Sequence, residues 1–139
     1  MSDDRDLVAG MAHLASLLNR RLAPVLEKAG ITPQQWGVLM VIAAADSPMT
    51  LAAVARHLAV SKQNMTGMID RLAQLGLIDR VDDPADLRSS RVQLTRRGRG
   101  VIDRFSAGYE AWLAALAPER ELQQLTRAIN RLIARLGES

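Results

Sequence analysis

The chain of 139 residues contains no cysteine, only two histidines and only four aromatic residues. Without cysteine there is no disulfide framework, no thiolate zinc site, no iron–sulfur cluster, no thiol nucleophile and no oxidation sensor of the cysteine type. His13 and His57 stand alone and give no metal-ligand spacing. There is no glycine-rich phosphate loop and no Ser-His-Asp set with a credible third member, and Asp82-Asp83 falls in a turn-forming stretch. The expectation is a non-enzyme without cofactor or metal. Long hydrophobic runs are also missing: the longest extends from Trp36 to Ala45 with Gly37 inside it, well short of the roughly 20 residues a membrane span needs. The opening Ser2-Asp3-Asp4-Arg5-Asp6 is acidic and lacks the basic-then-apolar layout of a signal peptide. A cytoplasmic protein with no membrane partner is expected.

What is present is an ordinary globular composition, 48% apolar and 24% charged, enough for one domain with a real core across residues 1–139. The formal charge of +3 is unevenly spread. Residues 47–100 carry nine basic and five acidic groups, a net of +4, whereas residues 1–46 net −1 and residues 101–139 net 0. The middle segment is therefore the one suited to a polyanion. Sixteen of the 18 basic residues are arginine, which favours bidentate phosphate and guanine contacts, although codon bias accounts for the count equally well.

Leu7, Met11, Leu14, Leu18, Leu22 and Val25 recur at helical spacing, with Pro24 as a bend and Gly30 as the terminator. Thr32-Pro33-Gln34-Gln35 opens a second helix with a capping box and proline at the first helical position. Thr50 caps a short helix to about Leu58, and after a tight break Ser61 caps another to about Leu75, closed by Gly76. Two helices so joined make a helix-turn-helix. The period then changes: 77–81 and 91–95 read as strands, with 82–90 as a long polar tip, so the pair is expected to be a β-hairpin. Thr95 caps a helix to about Leu116. Pro118 opens the last helix, whose Leu122, Leu125, Ile129, Leu132 and Leu136 form a heptad-like seam. No internal repeat or low-complexity segment interrupts this order.

The fold expected is mainly α with a small antiparallel β-hairpin wing, a winged helix-turn-helix. Such a helix fits a major groove and the hairpin reaches the neighbouring minor groove. The same elements also pack protein-binding modules, so a winged-helix interaction module and a DNA-binding protein that senses nothing stand as alternatives. On the second helix of the motif, Met65, Met68, Ile69, Leu72 and Leu75 face one side and Gln63, Thr66, Gly67, Asp70 and Gln74 the other.

The run from Leu58 to Leu72, followed by Leu75-Gly76-Leu77-Ile78 and by Asp86, Arg88, Val92, Leu94, Thr95 and Gly98, resembles the MarR family of bacterial transcriptional regulators. The wing pattern Asp-x-Arg-x-x-x-apolar-x-Leu-Thr-x-x-Gly is met in full. The resemblance implies a homodimer on double-stranded DNA, with residues 32–100 as the DNA-binding part and residues 5–30 and 101–139 as the dimerisation part. It is expected to act as a repressor. The apolar stripes of the first and last helices agree with such a dimer, and intrachain packing is the alternative use for them.

By the same resemblance Arg88 is the wing-tip arginine for the minor groove and Asp86 its support. Ser61, Lys62, Gln63, Asn64, Thr66, Gly67 and Arg71 on the recognition helix, with Arg91 beside the wing, complete the candidate DNA-binding set. Gln63 and Asn64 suit adenine edges, and Lys62 suits a guanine or a phosphate. Arg80 is a further phosphate candidate, whereas Asp70 and Arg71 read better as helix-surface or scaffold contacts. Arg96, Arg97 and Arg99 open a helix, where positive charge is mildly unfavourable; they either face phosphates or are simply solvated. Gly67 departs from the many relatives that carry arginine there, so their target preference does not transfer. Many members release DNA on binding small aromatic or phenolic effectors, and His13, Leu17, Arg20, Trp36 and Met40 are the matching pocket candidates. Trp36 and Met40 serve equally well as core.

Overall fold

The computed structural model describes residues 2–58, 61–83 and 86–137, with the side chains of 2–5, 62, 83 and 86–89 outside that description. The backbone divides into two units, Met1–Ile102 and Asp103–Ser139.

The first unit begins with α1 (Ser2–Glu27), which contains Pro24. Its terminator is a Schellman turn. Gly30 adopts φ 76°, its N–H donates to the Glu27 carbonyl, and the Ile31 N–H donates back to Leu26. Leu26 and Ile31, the apolar pair that accompanies such a turn, are both buried. Helix α2 (Pro33–Ala44) starts on the expected capping box: the Gln35 N–H donates to Thr32 Oγ1 at 3.1 Å and the Thr32 N–H to Gln35 Oε1 at 3.0 Å.

Thr50 does two jobs. It ends a two-residue strand, β1 (Met49–Thr50), and its Oγ1 accepts the Ala53 N–H at 3.2 Å to cap α3 (Leu51–Leu58). Ser61 caps α4 (Lys62–Gln74) by accepting the Asn64 N–H at 3.2 Å. A second Schellman turn ends α4, with Gly76 at φ 75° and bonds from Gly76 to Ala73 and from Leu77 to Leu72.

The sheet differs from the expected hairpin in two ways. It has three strands, with β3 (Asp86–Leu94) lying between β1 and β2 (Ile78–Asp83), because β1 pairs antiparallel with β3 through Met49↔Val92 and Thr50↔Arg91. A two-residue strand carries no readable alternation, and Thr50 announces only its capping role. The arms are also longer than expected. β2 (Ile78–Asp83) pairs with β3 out to Asp83↔Asp86, with a register shift between Val81 and Asp83. Residues 82, 83, 86 and 88–90 are of polar type with only Leu87 apolar among them, so composition hides their strand geometry.

Thr95 joins the wing to the rest. Its hydroxyl donates to the Gly76 carbonyl at 2.6 Å and accepts the Gly98 N–H at 3.0 Å, capping α5 (Arg96–Leu116). Gly98 is fixed by space: a Cβ there would lie 2.1 Å from the Leu77 carbonyl oxygen. The core of this unit includes Val38, Leu39, Val54, Met65, Ile69, Leu72, Ile78 and Val92, all at most 1% exposed.

Helix α5 runs from the first unit into the second. The second unit contains its remainder and α6 (Glu119–Gly137), in which no residue is buried. Tyr109 and Trp112 on α5 stack at a tilt, centroids 5.9 Å apart. Among the described residues no helix is long and apolar enough to cross a membrane.

Candidate nucleic-acid interface

Helix α4 is sharply two-sided. Met65, Ile69 and Leu72 are 0% exposed, and this inner row holds the helix against the core. Its outer side presents Gln63, Asn64, Thr66, Gly67, Asp70 and Arg71, all exposed, with exposed Ser61 at the N-cap. No acid occupies the first turn. A Cβ added at Gly67 would meet nothing within 4 Å, so the fold does not require glycine there. A helix-interior glycine costs roughly 0.5–1 kcal/mol relative to alanine.

The wing is tied to its surroundings by arginines. Arg91 on β3 is exposed, and its Nη1 donates to the Pro48 carbonyl at 3.4 Å, just before β1. Arg80 on β2 donates Nη2 to Asp70 Oδ1 on α4, forming an ion pair. Arg96, Arg97 and Arg99 are exposed on the first turn of α5. The Arg97 stem lies over the α4 terminator, its Cδ 3.8 Å from where a Gly76 Cβ would be.

Within the first unit a cleft of about 720 Å³ opens where α4 faces α1 and the start of α2. Five carboxamide residues line it: Asn19, Gln34, Gln35, Gln63 and Asn64, with Gly67 beside them. Among the described residues no charged side chain contributes to the lining. Pro33, Leu58 and Met68 add apolar surface to these amides, and the cleft shares its wall with the outer side of α4.

A family model described as MarR family matches residues 29–89, the segment from the first glycine turn into β3. The chain is 37% identical over 89 residues to the transcriptional activatory protein BadR of Rhodopseudomonas palustris, covering 63% of this chain and 51% of that protein. The chain belongs to the MarR family. Its fold is the winged helix shared by solved MarR-family regulators. The match to BadR spans about half of that relative's length. The homoprotocatechuate degradative operon repressor of Escherichia coli is 27% identical over 119 residues, 84% of this chain and 79% of the repressor. Among solved structures, a MarR-family regulator from Rhodococcus sp. RHA1 superposes with a TM-score of 0.80 at 19% identity, covering 96% of this chain and 94% of the other. All three matched proteins are transcription regulators.

Set on this MarR frame, the expected DNA-contact residues fall into one neighbourhood by element. Ser61, Gln63, Asn64, Thr66, Gly67 and Arg71 share the outer side of α4, and Arg91 lies on β3. Lys62 is the first residue of α4, and Asp86 and Arg88 lie in β3; their side chains are outside the described residues. Of the expected effector candidates, His13 and Arg20 on α1 are exposed, as are Leu17 at 44% and Met40 on α2 at 41%, while Trp36 is half-buried. None of these five lines the amide cleft. Sequence reading missed Asn19, Gln34 and Gln35 as cleft residues and the pairing of Asp70 with Arg80. The cleft draws on four helices, and the pair spans a helix and a strand, so no single period reveals either.

Proposed function

We propose that this MarR-family regulator binds a pseudo-palindromic operator as a homodimer, acts as a repressor in the cytoplasm and lets go of DNA when a small aromatic or phenolic ligand binds. The observation that carries the DNA half is the outer side of α4: exposed, acid-free in its first turn, rich in hydrogen-bonding groups and flanked by an arginine-bearing wing. In this reading Ser61, Lys62, Gln63, Asn64, Thr66, Gly67 and Arg71 meet the major groove and its phosphates, Arg91 a phosphate, and Arg88, supported by Asp86, the minor groove.

The dimer rests on apolar surface that the single chain leaves uncovered. On α1, Leu7, Val8, Met11, Leu14 and Leu17 are 43–68% exposed, and on α6, Leu125, Ile129, Leu132, Ile133 and Leu136 are 37–75% exposed. Residues 5–30 and 101–139 are accordingly the dimerisation part, and 32–100 the DNA-binding part. By the family resemblance the ligand is assigned to His13, Leu17 and Arg20 on α1 and Trp36 and Met40 on α2, which supply polar, cationic and aromatic groups. The relatives carry both signs of output in their names, an activatory protein and a repressor, so repression is the proposal to be tested.

Selection of binding sites from a randomised duplex pool, followed by affinity across a salt series, tests the DNA reading. Half-sites about one helical turn apart, roughly 34–36 Å, are expected, with a slope of log K on log salt near about −7 for about eight neutralised phosphates. No enrichment at low or moderate salt overturns it. Release of the selected duplex by aromatic acids, with a matching thermal shift, tests the ligand reading; no release and no shift overturns it.

A further inference from the structure

We propose that Asp70 and Arg80 form a strut that fixes the recognition helix against the wing, so that an acidic side chain on the DNA-facing side of α4 strengthens DNA binding. The inference rests on the reading of α4 and the wing as joint DNA-contacting elements.

Asp70 is the only acid in α4, KQNMTGMIDRLAQ. It follows Gln63, Thr66 and Gly67 at spacings of three and four, which place it on the same outer side. A lone carboxylate there faces a phosphate polyanion and opposes binding. In this chain it is not alone, because the Arg80 guanidinium donates to Oδ1. Both partners remain accessible, with side chains 54% and 41% exposed. An exposed pair of this kind adds little to folding stability, so its consequence is expected elsewhere.

The placement of Arg80 shows what the pair connects. Strand side chains alternate, so Arg80 shares a sheet face with Ile78, which is 1% exposed. Their cross-strand partners are Leu94 and Val92, both buried. Arg80 is thus the residue at which the inner face of β2 runs out of core, and its side chain crosses to α4. Just beyond it the pairing with β3 shifts register, between Val81 and Asp83. The strut sits at the root of the wing, before the strands lose their regular pairing.

The chain between the two residues is also held at the glycine turn, where Leu77 bonds back to Leu72, Thr95 bonds to the carbonyls of Gly76 and Leu77, and the Leu72 and Leu77 side chains are buried. These ties lie at the end of α4 and the start of β2. The Asp70–Arg80 tie, ten residues apart along the chain, lies farther along both elements from that turn, and in this proposal it sets the angle between the groove-reading helix and the wing. Pre-setting this angle removes an ordering cost from binding. Asp70 is therefore a positioning residue.

The sign of one mutation separates this account from bystander electrostatics. The probe is a duplex selected from a randomised pool by the wild-type protein, with binding compared for Asp70→Asn, Arg80→Gln, Asp70→Glu and the Asp70→Asn/Arg80→Gln double variant. A strut predicts that Asp70→Asn weakens binding by roughly tenfold, within the range of couplings between residues in one ion pair. It also predicts that Asp70→Glu stays within a fewfold of wild type and that the double variant loses no more than the weaker single. Thermal melting of all four is expected to match wild type closely, which excludes unfolding as the cause. A bystander acid predicts the opposite: Asp70→Asn binds as tightly or more tightly, Arg80→Gln binds more weakly, and the two effects add in the double variant. That pattern overturns the strut and leaves the DNA reading intact. Failure of the wild-type protein to select any duplex overturns the DNA reading, and the strut with it.

Discussion

The winged-helix core and helix α6 use the same residue types for opposite ends. Leu39, Ile69, Leu72 and Ile78 are at most 1% exposed. Leu125, Ile129, Leu132 and Leu136 recur at equally regular helical spacing, yet they are 37–75% exposed. Helix α1 combines both behaviours, with Leu26 buried at its end and Leu7 through Leu17 uncovered along its length. Periodicity therefore reports that a face is apolar and does not report what covers it. In the core the cover is supplied by helices and a sheet from the same unit. On α1 and α6 the uncovered surface belongs to the elements assigned to the dimer.

The largest expected effect breaks the closed side of this comparison. Gly98→Ala puts a Cβ 2.1 Å from the Leu77 carbonyl oxygen. Backbone on both sides must shift, so thermal melting is expected to show a loss of about 2–4 kcal/mol. A near-neutral Gly98→Ala contradicts the tight junction between the α4 terminator and α5. The next effect concerns the open side. Ile129→Asp is expected to weaken self-association by about 1.5–3 kcal/mol or more per protomer, the value of burying one such side chain. Sedimentation equilibrium reads this as a higher dissociation constant; an unchanged profile shows that this face of α6 is not the contact.

Smaller effects sharpen the local account. Thr32→Ala removes one half of the capping box, and urea denaturation is expected to show a loss of about 1 kcal/mol. Gly67→Ala adds a methyl group that meets nothing within 4 Å, so thermal melting is expected to show a gain of about 0.5–1 kcal/mol. If DNA backbone approaches α4 at this position, the same variant binds the selected duplex more weakly despite its greater stability. Gain in both properties contradicts a close approach at Gly67.

The caps and terminators were legible in the sequence because each rests on a few adjacent residues with a fixed chemistry. Thr32 with Gln35, Ser61, Thr95, Gly30 and Gly76 all stand where the residue types require. The two-residue β1 was not legible, since its pairing with Val92 and Arg91 depends on a partner more than forty positions away. The wing arms were obscured for a different reason: their sequence is polar apart from Leu87 and shows no apolar–polar alternation. The outer side of α4 followed from helical spacing. The engagement of Asp70 by Arg80 did not, because it needs the angle between a helix and a strand that spacing alone leaves free. The amide cleft is similar, being assembled from α1, α2, α3 and α4.

The most direct test of the account is the mass, by light scattering, of the complex formed with a duplex selected from a randomised pool. The account predicts two 15.2 kDa chains on one pseudo-palindromic duplex, with the uncovered faces of α1 and α6 joined and an α4 in each half-site. A complex holding a single chain, with no repeated half-site in the selected sequences, would contradict it.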